Sequence, residues 1–203
     1  AGKTAVEGKL AALQAVCEGA VELQEGKVGK AIRLDGKTGR VALQGDAAAG
    51  LNLKNLTVSV WVNAEDVTGR KGIISRNTWP TGYELFFWNG SLAVGAGASG
   101  GDPSQCRTGD GIYRPGEWYH VAATIESGKM MTLFVDGAEV KKAPLPQIID
   151  LPVGQFLIGW NGWGGIQNVS TPGWFAGKID ELRVFDRVLT PEEIMAEWAG
   201  KRE

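Results

Sequence analysis

The sequence predicts an all-β fold, an antiparallel two-sheet sandwich with a short C-terminal helix. Three observations carry this. Apolar residues recur at every second position in short runs, the period of a half-buried strand. Thirty glycines are scattered between those runs, where turns are needed. Clear helix start signals occur in one segment, close to the C-terminus.

The elements follow in chain order. The stretch at 6–26 is ambiguous: Leu10, Leu13 and Cys17 have helical spacing, while Val21 and Leu23 alternate, so irregular chain or strand is expected after Gly19. Strands are then expected at 31–35 (AIRLD) and 40–44 (RVALQ), with Asp35-Gly36 turning between them. In 56–62 (LTVSVWV), Leu56, Val58, Val60 and Val62 share one face, and Thr57, Ser59 and Trp61 the other. Further strands are 72–76 (GIISR), 83–88 (YELFFW) and 91–95 (SLAVG), the last two joined by Asn89-Gly90. Such a pair tolerates positive φ at both central positions of a tight hairpin. In 118–126 (WYHVAATIE), Tyr119, Val121, Ala123 and Ile125 share a face. In 131–137 (MTLFVDG), Met131, Leu133 and Val135 do the same before an Asp136-Gly137 turn. Two more strands are expected at 155–160 (QFLIGW), with Trp160 continuing the Phe156/Ile158 face, and at 178–185 (KIDELRVF). The helix covers 190–198 (TPEEIMAEW): Thr190 is the N-cap, Pro191 fits the first helical position, and Glu193 completes a capping box. Ile194, Met195 and Trp198 form its apolar stripe.

Composition narrows the function. The chain of 203 residues is 43% hydrophobic and 22% charged, enough for a core within one domain spanning 1–203. Its net charge of -2, with mixed signs, argues against nucleic acid or an anionic membrane as partner. No apolar run approaches the roughly 20 residues that span a bilayer, so membrane insertion is not expected. A signal peptide is not evident, as in a mature or excised module. Cys17 and Cys106 lack zinc-site spacing. They could close a disulfide or remain two free buried thiols.

The order of the pieces carries a resemblance. "GKVGKAIRLDGKTGRVAL" and "LTVSVWV" are followed by "GEWYHVAATI", "LFVDGAEV" and "FLIGW", then by "FAGKIDELRVFDRVLTPEEI". Together these resemble the laminin-G-like jelly-roll domains of the concanavalin A-like lectin and glucanase superfamily, over roughly residues 26–198; residues 1–25 match poorly. The resemblance implies two curved antiparallel sheets face to face, a ligand surface on the concave sheet or its rim loops, and frequent use of calcium. Such domains serve as carbohydrate binders, adhesion modules and spacers.

Catalysis is not expected. The glucanase branch places carboxylates along one strand face for acid and nucleophile roles. Here Asp180 and Glu181 are adjacent, so a regular strand would point them to opposite faces, and "YELFFW" holds the single Glu84. His120, the one histidine of the chain, shares its strand face with Trp118, Ala122 and Thr124, lacks a nucleophile motif, and reads as structural.

Asp180 alternates with Leu182 and Val184, so it is expected at the edge of their apolar face, where a carboxylate needs a partner. One candidate is a structural Ca²⁺, which the resemblance places between the final strand and the turn at Asp35 and Gly36. The other is a set of backbone N–H groups in a neighbouring turn.

Trp79, Trp88, Trp160, Trp163 and Trp174 lie in or beside loops and strand ends. Indoles stack on the C–H faces of sugar rings, while a few placed polar groups hold the hydroxyls. Trp163, Trp160, Asn161, Trp79, Tyr83 and Trp88 are the expected patch, with Asp102, Arg107 and Asp110 as a further rim. The expected function is a non-catalytic, carbohydrate-binding, lectin-like module of a larger secreted or cell-surface protein. The alternatives are an interaction module or spacer that meets an extracellular protein, and a divergent glycoside hydrolase.

Overall fold

A computed structural model of the chain describes residues 15–78, 80–111, 113–151, 154–161 and 173–200, with the side chains of Asn77 and Thr78 outside the description. The elements are β1 (Ala15–Glu18), β2 (Val21–Glu25), β3 (Lys30–Asp35), β4 (Arg40–Leu43), α1 (Gly45–Ala49), β5 (Asn55–Ala64), β6 (Arg70–Thr78), β7 (Thr81–Trp88) and β8 (Ser91–Gly97). They continue as β9 (Ser104–Arg107), β10 (Tyr119–Glu126), β11 (Met130–Val135), β12 (Ala138–Pro144), β13 (Phe156–Ile158), β14 (Trp160–Asn161), β15 (Gly173–Trp174), β16 (Ala176–Phe185) and α2 (Pro191–Trp198).

The strands form two seven-stranded antiparallel sheets and one small ribbon. Sheet I runs β1-β4-β13-β6-β7-β8-β9, and sheet II runs β12-β11-β10-β5-β16-β3-β2. The ribbon pairs β14 with β15. Alternation builds the sandwich. Leu56, Val58, Val60 and Val62 of β5 point inward with Val121, Ala123 and Ile125 of β10 and Met131 and Leu133 of β11, all essentially inaccessible. From sheet I they meet Val41, Leu43, Ile74, Leu85, Phe87, Val94, Phe156 and Ile158. Each such aliphatic side chain, once buried, stabilises the fold by about 1.5–3 kcal/mol before entropy is subtracted. The turns are as the dipeptides predict: Asn89 and Gly90 have φ of 47° and 83°, and Asp136 and Gly137 have 48° and 80°.

α2 begins with the expected capping box: Thr190 Oγ1 accepts from Glu193 N–H, and the Glu193 carboxylate accepts from Thr190 N–H. Ile194 buries itself with Ala122, Phe134 and Leu189 on the outer side of sheet II. Met195 and Trp198 remain partly exposed and lie over Gly137.

Three expectations change. Cys17 and Cys106 are free thiols. They lie on β1 and β9, the opposite edges of sheet I. Six inter-strand steps separate them by roughly 29 Å, and a bridge requires Cα atoms within about 7 Å. Second, Trp160 does not continue the Phe156/Ile158 face. Gly159, with φ of 82°, turns the chain out of sheet I before Trp160. Third, Asp180 does not share a face with Leu182. Glu181 has a φ of 48°, and the β16–β5 register shifts between Asp180 and Arg183. This β-bulge inserts one residue and reverses the alternation. Ile179, Leu182 and Val184 therefore face the core, while Asp180 and Arg183 lie on the outer side.

Candidate functional site

The outer side of sheet I collects aromatic and cationic side chains. Across β6, β7 and β8, Arg70 pairs with Trp88 and Trp88 with Ser91; in the next outward row Gly72 pairs with Phe86 and Phe86 with Ala93; further along, Ser75 pairs with Glu84 and Glu84 with Gly95. Every second residue of β7 faces out, so Glu84, Phe86 and Trp88 share this side.

Glu84 and Arg70 are both nearly buried and form an ion pair. The Arg70 guanidinium also lies 3.7 Å from the Phe86 ring centroid and 5.3 Å from that of Trp88, in cation–π range. Gly95 makes room for Glu84: a Cβ there would come within 2.9 Å of Oε1. The other Glu84 oxygen accepts from Asn161 Nδ2. Burying two charges costs less when they are paired in this way. Both oxygens of Glu84 thus serve Arg70 and Asn161.

That bond anchors the β14–β15 ribbon on β6. A Cβ on Gly72 would fall 2.5 Å from the Asn161 backbone nitrogen, so glycine alone lets the ribbon lie there. Gly159 N–H donates to Ile73 O at 2.9 Å, and Phe175 N–H donates to Gly159 O at 3.0 Å. Held this way, Trp160 and Trp174 pair across the ribbon with ring centroids 6.0 Å apart. Arg40 of β4 lies 5.1 Å from one ring and 5.9 Å from the other, and its Nε donates to Glu18. Both indoles are half-buried. From Arg40 on β4 to Trp88 on β7 the patch crosses three inter-strand steps, about 14 Å.

The expected residues distribute unevenly. Trp160 and Trp88 belong to this side. Asn161 does too, but buried, holding the ribbon in place. Trp163 and Trp79 lie outside the described residues. Tyr83 is not part of the patch: it faces the core, 1% exposed, and its hydroxyl donates to Leu51 O at 2.7 Å. The same period of two that turns Trp88 outward turns Tyr83 inward, so this was readable in "YELFFW". Trp174, Arg40 and Arg70 complete the patch; no local sequence signal joins Trp174 to Trp160 across the intervening loop. Arg107 and Asp110 pair at the rim, and Asp110 also accepts from Ser91 Oγ.

Asp35, Gly36 and Asp180 do not converge on one ion. Asp35 accepts from the N–H groups of Lys37, Thr38 and Gly39 at 2.8–2.9 Å and from Thr38 Oγ1. Those donors, led by Thr38 N–H, hold its carboxyl well below the usual range. Asp180 accepts from Val28 N–H at 2.8 Å and Glu181 N–H at 2.9 Å, the turn-donor alternative. Asp35 faces Ala176, four residues from Asp180, or about 13 Å along the strand. Among the described residues no group of three or more His, Cys, Asp or Glu is placed to hold a metal.

An open cleft of about 340 Å³ lies beside α1, lined by Gln44, Asn52, Arg76 and Gln155. Among the described residues it has no aromatic wall, and Arg76 turns its guanidinium to Asn52 Oδ1 and Gly154 O. The outer side of sheet I is therefore the better-equipped surface.

Comparison with known proteins gives the same fold. A laminin G family model, described as concanavalin A-like lectin/glucanases superfamily, matches residues 35–195. The pentraxin-related protein PTX3 of Mus musculus is 28% identical over 156 residues, which cover 72% of this chain and 39% of that protein. Among solved structures, the binding domain of Paraclostridial Mosquitocidal Protein 1 superposes with a TM-score of 0.74 at 13% identity, over 93% of this chain and 47% of that one. The binding domain of botulinum neurotoxin DC, solved in complex with rat synaptotagmin II, gives 0.72 at 11% identity, over 94% and 47%. A botulinum neurotoxin type C structure, whose cell entry depends on two ganglioside molecules, gives 0.73 at 14% identity, over 94% and 47%. The chain thus spans less than half the length of each.

Proposed function

The chain belongs to the concanavalin A-like lectin/glucanases superfamily, and from that premise we propose that it is a non-catalytic, extracellular module that binds carbohydrate on the outer side of sheet I. The observation that carries this reading is the Trp160–Trp174 pair with Arg40 over both rings. Half-buried indoles on a ribbon fixed by Glu84 and Gly72 are rigid apolar platforms, and such platforms lose little entropy when a sugar face stacks on them. Arg40 and the neighbouring Trp88 supply a donor and a second platform along the same row of strands.

A non-catalytic role fits the use of Glu84. A retaining glycosidase needs two carboxyl groups about 5 Å apart across the bond. Here the one buried acid on this side among the described residues is committed to Arg70 and the ribbon. The ganglioside dependence of the type C neurotoxin supports carbohydrate as the ligand class, at the level of a shared fold. An extracellular setting is supported by the pentraxin relative.

A protein partner is the second reading. It is favoured by the synaptotagmin II complex of a structural neighbour and by the exposed Val16, Leu23 and Val28 on and beside the edge strands β1 and β2.

A glycan array probed with the wild type and with Trp174→Ala separates the two. Carbohydrate binding predicts discrete glycan hits whose affinity drops at least about tenfold in the variant, as for a truncated aromatic anchor. An array without hits, or hits that ignore Trp174, would overturn it.

A further inference from the structure

A set of unsatisfied groups lies on the opposite side of the molecule, on the outer side of sheet II. The β10–β5–β16 ladder sets His120 beside Trp61 and Trp61 beside Asp180; in the adjoining row Ala122 lies beside Ser59 and Ser59 beside Arg183. The bulge at Glu181 brings Arg183 to this side. Val28 of the β2–β3 turn, Glu181, Glu197 of α2 and Gly200 close the surroundings into a recess of about 40 Å³. That is more than the roughly 10–15 Å³ that one water requires.

Two polar atoms of residues that line this recess are left over. His120 and Arg183 are 2% and 6% exposed. His120 Nδ1 and Arg183 Nε are buried without a hydrogen-bond partner among the described residues. All their other polar atoms are engaged. His120 Nε2 contacts Ser59 Oγ at 2.9 Å. Arg183 donates from Nη1 to Glu197 at 3.0 Å and from Nη2 to Glu181 at 3.2 Å. Buried polar groups are so regularly paired that two orphans on residues lining one recess point to a missing partner.

The chemistry of that partner follows from the charges. Two carboxylates already balance Arg183, Asp180 lies one row away, and Lys27 Nζ is held 4.6 Å over the Trp61 ring. Among the described residues the recess therefore has no net positive charge with which to hold an anion. Arg183 Nε–H needs an acceptor. His120 Nδ1 needs a donor or an acceptor, according to its tautomer. A hydroxyl group meets both needs under either tautomer. The half-buried Trp61, edge-on to His120 with ring centroids 5.4 Å apart, gives the apolar wall on which a carbon skeleton can rest.

We propose that this recess is a hydroxyl-binding pocket for the end of a small polyol or sugar, with Arg183 Nε–H and His120 Nδ1 gripping one hydroxyl and Trp61 flanking it. It is separate from the sheet I patch and stands whether or not that surface binds glycans.

The single histidine makes the test clean. Protein carrying ¹⁵N is titrated with glycerol and, separately, with glucose, and the His120 imidazole signals are followed. The pocket predicts saturable shifts with at least one probe. Trp61→Ala and Ser59→Ala, each checked for wild-type circular dichroism, then weaken binding at least about fivefold, whereas Trp160→Ala leaves it unchanged. No saturable shift with either probe would overturn the proposal and leave the recess to water. So would undiminished affinity in Trp61→Ala, a surface variant that does not disturb the core, or loss of the shift in Trp160→Ala.

Discussion

His120 shows how one buried side chain ties stability to pH. Burial, and then the charge of Arg183, hold its imidazole down to about 4 from an ordinary 6.5. Between those values the unfolded chain binds a proton that the folded chain refuses. Stability is therefore complete above about pH 6.5 and falls as the pH drops toward 4, by roughly 3 kcal/mol at most at 1.36 kcal/mol per pH unit. Thermal melts across that window should show the loss in the wild type and a flatter profile in His120→Gln; equal slopes would refute the assignment. Tyr83 makes a second prediction at this scale. Tyr83→Phe removes only the bond to Leu51 O and should cost about 1 kcal/mol, with no effect on ligand affinity. Tyr83 was legible in the sequence through its parity against Trp88. Asp180 was not, because its side depends on a one-residue bulge decided by what β16 pairs with, not by its own pattern.

Among the elements, the regular strands were the easy part. The period of two in β5, β10 and β11 is also the period of the observed core, and the Asn-Gly and Asp-Gly turns form where expected. The β14–β15 ribbon was the hard part. It consists of two two-residue strands whose partners are 12 and 14 positions apart, too short for any periodic signal. It exists because Gly159 bends the chain out, Gly72 leaves the space and Glu84 holds Asn161. Gly72→Ala should therefore lift the ribbon, lower stability by about 1–3 kcal/mol as an overpacked contact, and reduce glycan affinity with it; an unchanged melting temperature would show that the ribbon does not rest there. For α2, Thr190→Ala removes one capping bond. It should cost about 1 kcal/mol, or about 2–4 °C in melting temperature for a chain of this size.

At the scale of the whole molecule, the sandwich explains which cross-links it does without. Cys17 and Cys106 sit on opposite edges of sheet I, so a reducing agent should leave the melting temperature of the isolated chain unchanged. A drop on reduction would contradict the placement of β1 and β9. Asp35 and Asp180 each hold their own N–H donors, and a chelator should likewise leave the melt unchanged. The fold puts its two equipped outer surfaces on opposite sides, with the paired indoles on sheet I and the His120–Arg183 recess on sheet II. The core between them is apolar, so substitutions on one side should be felt little on the other.

The most direct test of carbohydrate recognition on sheet I uses the eight tryptophans themselves. Their indole N–H signals, assigned by single substitutions, can be followed while a glycan identified on the array is added. The indoles of Trp160 and Trp174 should move first and furthest, with that of Trp88 following and that of Trp198 still. Movement confined to other indoles, or none at concentrations where the glycan is bound, would contradict it.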